Sequence, residues 1–312
     1  MQNRTTMMML GADAVGKTTL LATMYHEFDD QSGFELSASG DTHKNLLEAY
    51  QNLSSIITQP SFTQTGQLLK GTAGIVEHEF EIRFLGQKEV ELVFCDIAGG
   101  LIRAENSGNP DFDEFKHKLK QATVIINVLE APALVEGDEQ LLVNDPLPFY
   151  EHLLPTVIDK RNHLILFVIT KCEAWLKNET LQKKLEMAFE THYQRLLKWM
   201  EGLDNIAGVL MPVKTLGCVE FTRIDVQGDD HKVIFVRKPN LPFQPENTDQ
   251  PLRYALAFAL SQHDQNRLPW NKFVRWVSNK DIAFQKTLTE FAEARHRSFK
   301  IYGNSSLIGE TK

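Results

Sequence analysis

The residues with the clearest capacity for chemistry lie near the N-terminus, where positions 11–18 read G-A-D-A-V-G-K-T. They fit the pattern GxxxxGK[ST], in which glycines let the backbone turn tightly so that successive amide N–H groups point inward. A helix that begins at Lys17 would direct its positive end at the same anion. The segment is therefore predicted to bind nucleotide phosphates. The predicted contacts are Gly11, Asp13, Ala14, Val15, Gly16, Lys17, Thr18 and Thr19.

A second motif supplies an acidic residue and small residues after a strand. Within the first loop, Lys17 is predicted to reach the β- and γ-phosphates and the Thr18 hydroxyl to bind Mg²⁺. The apolar strand at residues 90–95 is followed by D-I-A-G-G at positions 96–100. Asp96 is predicted to hold Mg²⁺ directly or through water, and the Gly99 amide to bond a γ-phosphate oxygen, so that hydrolysis frees residues 99–110. The candidate catalytic residues are Lys17, Thr18, Gly99 and Gly100.

Two later strands end in residues suited to recognising a base. The strand at residues 164–169 is followed by T-K-C-E, positions 170–173, and the strand at residues 206–213 by K-T-L-G, positions 214–217. The Lys171 stem is predicted to lie over the base plane, while the Glu173 carboxylate accepts hydrogen bonds from the ring N–H and amino group of guanine. Adenine lacks that pair of donors. The predicted base contacts are Thr170, Lys171, Glu173, Thr215 and Leu216, the last two through backbone that closes over the guanine oxygen.

Strands alternating with helices position these motifs. The alternation predicts an α/β fold with a mostly parallel sheet and helices on both faces, and the first loop at the ends of the strands. An antiparallel pair is expected from residues 74–85 and 89–95, an added β-hairpin from residues 219–237, and helices beyond residue 251. The other predicted elements are a strand at 6–10, helices at 17–28, 45–57, 112–121, 174–200 and 281–299, a strand at 123–129, an acidic insertion at 130–145 and a helix that ends near 161.

The order of the motifs resembles the GTPase (TRAFAC) class of P-loop proteins, which contains the Ras-like and Rab-like small G proteins. GADAVGKT resembles the first motif of that class, DIAGG the third, TKCE the fourth and KTLG the fifth, and together they span the first two-thirds of the chain. The proline-rich stretch at residues 238–252 is also similar to bacterial GTPases of the double-GTPase group. The resemblance implies a Ras-like GTPase domain at residues 1–217, with the hairpin and helical extension of residues 218–312 packed on it. It also implies GTP or GDP with Mg²⁺ as ligands and a protein effector or activator as partner.

The chain departs from the family pattern at three positions. Gly100 stands where small GTPases have the glutamine that orients the attacking water, so unaided hydrolysis is expected to be slow. Asp13 stands where many have a second glycine, and it would crowd an arginine finger from a partner and add negative charge near the γ-phosphate. Glu173 is one methylene longer than the usual aspartate, which leaves the donor and acceptor logic unchanged.

The threonine of the first switch is not determined by any flanking motif. Thr63, Thr65 and Thr72 are candidates, and Thr65 and Thr72 have the loop setting that a Mg²⁺-binding switch needs. Arg103, in the segment after the third motif, is more often a solvated charge than a catalytic finger in such a position. The cysteines and histidines show no metal-binding spacing.

Composition limits the classes of partner. The net charge is −8 over 312 residues, with no dense run of Lys or Arg, so nucleic acid is not an expected partner. No run approaches the ~20 apolar residues that a membrane-spanning helix needs, and neither a signal peptide nor a lipidation motif is recognisable, so direct membrane insertion is not expected and a cytoplasmic location is.

Two functional classes fit the sequence. The first is a GTP-binding molecular switch with slow intrinsic hydrolysis, which binds a partner through loops ordered by the γ-phosphate. The second is a nucleotide-bound scaffold subunit without turnover, which Gly100 and Asp13 together would allow. An ATPase is a weaker third alternative. A homodimer that pairs through the nucleotide faces is left open.

Overall fold

The computed structural model of the chain describes a set of segments that together hold most of the sequence. These are residues 4–28, 33–57, 63–64, 74–99, 110–142, 145, 147–227, 230–265, 280–293, 295 and 298–309. The described strands are β1 (Arg4–Leu10), β2 (Phe34–Ala38), β3 (Thr63–Gln64), β4 (Ile75–Phe84), β5 (Gln87–Ile97), β6 (Val124–Glu130), β7 (His163–Thr170), β8 (Ile206–Pro212), β9 (Val219–Gln227), β10 (Asp230–Arg237) and β11 (Lys300–Gly303).

Helices connect most of these strands. The described α-helices are α1 (Lys17–Glu27), α2 (Gly40–Ile57), α3 (Pro110–Gln121), α4 (Ala131–Glu136), α5 (Glu139–Leu142), α6 (Leu147–Val157), α7 (Glu179–His192), α8 (Gln194–Glu201), α9 (Gln250–Gln265) and α10 (Lys280–Glu293). Short 3₁₀ turns occur at Trp175–Lys177 and Ser305–Ile308. Among the described residues, no helix is both long enough and apolar enough to cross a bilayer.

The main sheet is mostly parallel, as predicted. Its described strands run in the order β11-β8-β7-β6-β1-β5-β4-β2, and the pairings among β8, β7, β6, β1 and β5 are parallel. Every residue of β6 and β7 is buried, which is the pattern of parallel strands covered on both faces. The antiparallel β4–β5 pair is confirmed. Antiparallel strands β2 and β11, which the sequence analysis did not predict, form the two edges.

Hydrophobic cores lie on both faces of this sheet. Along β1, Met7 and Met9 belong to one buried cluster with residues of α1, α9 and α10. Met8 and Leu10 belong to a second cluster with residues of α3, α6, α7 and α8. Because alternate residues of a strand point to opposite faces, this division shows that helices cover both sides of the sheet. The carboxyl ends of the central strands are thereby held in fixed register.

The predicted hairpin forms a second, smaller sheet with an earlier part of the chain. β9 and β10 pair with each other, and β10 also pairs with β3, so that Val236 lies opposite Thr63. Leu53 and Ile57 of α2 pack on Phe235 and on Leu216 beside the fifth motif. Thr63 therefore lies in a strand next to the hairpin, whereas Thr65 and Thr72 fall outside the described residues.

Some predicted helices are divided or end early. The amphipathic segment 174–200 was predicted as one helix, but a 3₁₀ turn, α7 and α8 occupy it, with a break at Tyr193 (φ −95°, ψ 12°). Tyr193 is fully buried at this break, and its hydroxyl donates to Asp145 at 2.6 Å. The acidic insertion 130–145 contains α4 and α5.

The C-terminal part of the chain also differs from the prediction. The helix expected at 281–299 ends at Glu293, after which Lys300–Gly303 forms β11 and pairs with β8. Residues of α9 and α10 contribute to the same core as Met7. The boundary at residues 217 and 218 stays a prediction.

Candidate functional site

The first motif forms a tight loop between β1 and α1. Gly11 has φ 155°, Gly16 has φ 98° and lies at the N-terminal cap of α1, and Ala14 has φ 63°. A Cβ on Gly11 would lie 2.5 Å from the Val128 carbonyl oxygen, so only glycine fits there without a shift of the backbone. Left-handed conformations at Ala14 and Gly16 turn the chain sharply before the helix begins. The strand, loop and helix occur in the predicted order.

Lys17 lies on the inner side of this loop. Its side chain is buried, and Nζ donates to the carbonyl oxygens of Gly11 at 2.9 Å and Ala12 at 2.8 Å. Burial lowers the pKa of Lys17, and the nearby carboxylates of Asp96 and Asp13 partly oppose that shift. An ammonium group is thereby held at the centre of the loop. Thr19 is buried, and Thr18 is half-buried.

The third motif meets the phosphate loop directly. In the parallel pairing of β1 with β5, Met9 lies opposite Asp96, which places Asp96 beside the start of the loop. Asp96 is 2% exposed. A Cβ on Gly99 would lie 2.5 Å from the Asp13 amide nitrogen and 2.6 Å from Asp13 Oδ1, so the two backbones are in close contact. Lys17, Asp13, Asp96 and Gly99 are thus brought together, while Gly100 and Arg103 lie outside the described residues.

The fourth motif is bonded to the opposite side of the same loop. Thr170 Oγ1 lies within hydrogen-bond distance of the carbonyl oxygens of Val15 at 2.6 Å and Leu129 at 2.9 Å. Lys171, in the left-handed region at φ 58°, donates from Nζ to the Ala14 carbonyl oxygen at 3.1 Å. The strand end that was predicted to recognise a base is therefore fastened to the phosphate loop through two consecutive side chains.

The fourth and fifth motifs are joined by Glu173. Its Oε1 accepts hydrogen bonds from the backbone N–H groups of Leu216 at 3.1 Å and Gly217 at 3.3 Å. Its Oε2 is buried and has no hydrogen-bond partner within the part of the chain that the structure describes. Burial raises the pKa of Glu173, against the lowering effect of these N–H donors. The side chains of Thr215 and Leu216 are themselves buried.

The fifth motif requires glycine at its last position. Gly217 has φ 71°, and a Cβ there would overlap the carbonyl oxygen of Gln244. The Gln244 amide donates to the Leu216 carbonyl oxygen at 3.1 Å, and Lys214 and Glu246 form a backbone bridge beside it. The segment that follows the fifth motif thus runs beside that motif and bonds its backbone, which positions the Leu216 and Gly217 N–H groups that donate to Glu173.

Sequence reasoning missed Glu130, which it assigned to the acidic insertion. Glu130 is the last residue of β6, it is 9% exposed, and Oε2 forms an ion pair with Lys171 Nζ. An acidic residue that ends a mostly apolar strand (V-I-I-N-V-L-E) was the available signal. Its partner, Lys171, directly follows the neighbouring strand β7, so the sequence pattern alone does not identify the pair.

Comparisons with known proteins return little for this chain. No protein-family model and no protein of curated function matches it. Among solved structures it is similar to Methanosarcina barkeri Roco2 RocCORdC bound to GDP, with a TM-score of 0.31 and 14% sequence identity. That match covers 68% of this chain and 44% of the other, so this chain spans less than half the length of that structure. At this identity and TM-score, the likeness does not assign a function to this chain.

Proposed function

We propose that this protein binds guanine nucleotides and acts as a molecular switch that hydrolyses GTP slowly. The observation that carries the proposal is the convergence of separate motifs on one phosphate loop. Gly99 contacts the loop at Asp13, and Thr170 and Lys171 bond it at Val15 and Ala14. If the loop resembled a phosphate-binding motif only by chance, we would not expect the residues that metal binding and base recognition require to lie around it.

The phosphate side would hold the charged part of the nucleotide. The backbone N–H groups of the loop, Lys17 and the start of α1 would bind the phosphate oxygens. Thr18 and Asp96 offer hydroxyl and carboxylate oxygens, the donors that Mg²⁺ prefers, and Thr65 and Thr72 stay candidates for a further ligand. When bound, Mg²⁺ supplies positive charge against the β- and γ-phosphate oxygens. The Gly99 amide would contact the γ-phosphate, so that the following segment responds to its loss.

The base side would select guanine. Glu173 Oε2 is a buried acceptor without a partner in the described chain, and buried acceptors of this kind are costly unless a donor reaches them. Guanine offers two adjacent donors, its ring N–H and its amino group, to one carboxylate, whereas adenine offers no such pair. The backbone at Thr215 and Leu216 lies beside this carboxylate and would close over the base.

Slow turnover follows from the residues near the γ-phosphate position. Gly100 has no side chain with which to orient water. Asp13 lies against Gly99 and near Lys17, so its carboxylate would crowd an arginine finger supplied by a partner and would add negative charge near the γ-phosphate. The same two residues favour a second candidate function, a scaffold subunit that binds GTP without turnover. If the protein is a switch, a protein effector or activator would bind the switch loops. The hairpin of β9 and β10, together with the helices that follow it, is a candidate surface for that partner.

The test is nucleotide binding and phosphate release by the purified protein with Mg²⁺. We expect GTP and GDP to bind more tightly than ATP. We also expect Lys17→Ala to weaken binding by about 30-fold or more, since losing one buried charge partner commonly costs ~2–5 kcal/mol. Lys184→Ala, on the exposed face of α7, is the matched control. Binding without phosphate release would support the scaffold alternative, and ATP binding equal to GTP binding would reject guanine selection by Glu173.

Oligomeric state is tested in the same preparation. A homodimer through the nucleotide faces predicts that the measured mass doubles with Mg²⁺ and a non-hydrolysable GTP analogue. An unchanged monomer mass would reject it.

A further inference from the structure

One ammonium group joins three separate parts of the chain. Lys171 Nζ forms an ion pair with Glu130 and donates to the Ala14 carbonyl oxygen at 3.1 Å. Glu130 ends β6, Lys171 follows β7, and Ala14 lies in the phosphate loop. The side chains of Lys171 and Glu130 are only 13% and 9% exposed. The pair is therefore largely shielded from water at the meeting point of the base side and the phosphate side.

Strand register puts the carboxylate where it can act on this lysine. In the parallel pairing of β6 with β7, Glu130 lies opposite Thr170, the residue directly before Lys171. The left-handed backbone at Lys171 then turns its side chain back toward the loop and Glu130. The same register brings Thr170 Oγ1 to the Leu129 carbonyl oxygen. The contact follows from the sheet itself and does not depend on two long side chains meeting at the surface.

A lysine needs such a partner if its stem is to act as a fixed wall. The side chain has four rotatable carbons and loses much rotamer freedom when it is held in one orientation. An anionic partner at low exposure holds the ammonium more firmly than an exposed one, because less solvent screens the attraction. Without the carboxylate, the Ala14 carbonyl oxygen is the remaining described acceptor of Lys171.

We propose that Glu130 is a positioning residue for guanine-nucleotide binding, which acts by holding Lys171 so that its stem covers one face of the base. The inference rests on the proposed function. Glu130 itself does not touch the nucleotide. The carboxylate binds the ammonium group, and the ammonium group donates to the phosphate loop. The hydrocarbon stem, which joins the ammonium group to the backbone of Lys171, then lies across the base position.

Affinity for GDP and for inorganic pyrophosphate, measured on the full chain with Mg²⁺, tests this proposal. Glu130→Gln keeps the size of the side chain and removes its charge. We expect it to weaken GDP binding by about tenfold, near the lower end of the effects measured for close charge pairs, and to leave pyrophosphate binding unchanged because pyrophosphate has no base. Glu136→Gln, on the exposed end of α4, is the matched control and is expected to change neither affinity. A merely structural role for Glu130 would weaken both ligands together, and that result would overturn the proposal.

Double substitution separates action through Lys171 from other effects. If Glu130 acts through the lysine, adding Glu130→Gln to Lys171→Ala should not weaken GDP binding further. Additive losses would overturn the proposal. If Glu130→Gln does not fold, Glu130→Asp keeps the charge but withdraws it by one methylene, and we expect a several-fold loss of GDP affinity, whereas wild-type affinity would overturn the proposal.

The outcome for the wild-type chain distinguishes this inference from the function on which it rests. If the wild-type chain shows no Lys17-dependent GDP binding, the proposed function fails. If it binds GDP and Glu130→Gln binds equally well, the function stands and the role of Glu130 fails.

Discussion

The phosphate side and the base side of the candidate site are built by different means. The loop of the phosphate side is shaped by local backbone conformation at Gly11, Ala14 and Gly16, and Lys17 bonds carbonyl oxygens of its own loop. The base side is held by side-chain contacts between residues far apart in the sequence. Thr170 reaches Val15, Lys171 reaches Ala14 and Glu130, and Glu173 reaches Leu216 and Gly217.

This difference explains which half of the site a short motif can specify. A loop closed by its own glycines needs the same residue types wherever it occurs, so its pattern is recognisable in isolation. A base site assembled from three strand ends needs only that suitable donors and acceptors meet, and several combinations of residues can satisfy that. Substitutions on the two sides should therefore fail in different ways.

The largest effect is expected from Gly11→Ala on the phosphate side. The added Cβ would lie 2.5 Å from the Val128 carbonyl oxygen at a φ of 155°. The loop must shift to relieve this contact, so we expect nucleotide binding to be lost and the free energy of unfolding to fall by ~2–3 kcal/mol. Urea unfolding and GDP titration measure the two effects. Gly40→Ala is the control, because nothing lies within 4 Å of a Cβ there. Normal GDP affinity in Gly11→Ala would show that the loop does not need its observed conformation.

A smaller effect is expected from Thr170→Val, which cuts a link between the two sides. The change keeps the shape of the side chain but removes the hydroxyl between the Val15 and Leu129 carbonyl oxygens. The Thr170 hydroxyl has one proton to donate, and leaving one buried acceptor without a donor costs ~1–3 kcal/mol. We expect that loss of unfolding free energy together with weaker GDP binding, because the phosphate loop is no longer tied to β7. Thr156→Val is the control, since its hydroxyl is exposed and donates to the Leu153 carbonyl oxygen within its own helix. Equal behaviour of the two variants would contradict the link.

Titration of Glu173 should make guanine binding depend on pH. Burial raises the pKa of this carboxyl above its ordinary value of 4.5, so the ligand-free folded chain holds the proton more strongly than the unfolded chain does. The contribution of Glu173 to the stability of the folded state therefore decreases as the pH rises from about 4.5 through the raised pKa of the folded state. Guanine binding needs the ionised carboxylate. At pH values below the folded-state pKa of Glu173, the affinity for GDP should therefore rise by up to about tenfold for each unit of increasing pH. GDP titrations from pH 5 to 8 measure this. Glu173→Gln should bind GDP weakly, and its affinity should not depend on pH in this way. An equal pH dependence in both proteins would show that another group causes it.

Much of the fold and the phosphate side is predictable from sequence, and the reasons lie in particular residues. Continuous apolar runs such as L-I-L-F-V-I, residues 164–169, identify the buried parallel strands, and the loop motif identifies Lys17. Strands β2 and β11 were not predicted because short edge strands carry little sequence pattern, and no sequence signal marks the break at Tyr193, where a buried hydroxyl bonds the distant Asp145. The role of Glu130 was also not predicted, because sheet register, and not nearness in the sequence, brings Glu130 to its partner Lys171.

The smallest effect is expected from an ion pair at the edge of the base side. The side chains of Lys214 and Glu246 form a pair next to the fifth motif, but Glu246 is 54% exposed. The backbone bridge between the same residues, with N···O distances of 3.0 and 2.9 Å, keeps the segment in place without the side chains. Exposed pairs contribute ~0–1 kcal/mol, so Glu246→Gln should lower the free energy of unfolding by no more than about 0.5 kcal/mol and leave GDP affinity unchanged. If this variant instead bound GDP as poorly as Thr170→Val, the base side would depend on its surface charges, and the division between a locally shaped loop and a base side held by buried long-range contacts would be wrong.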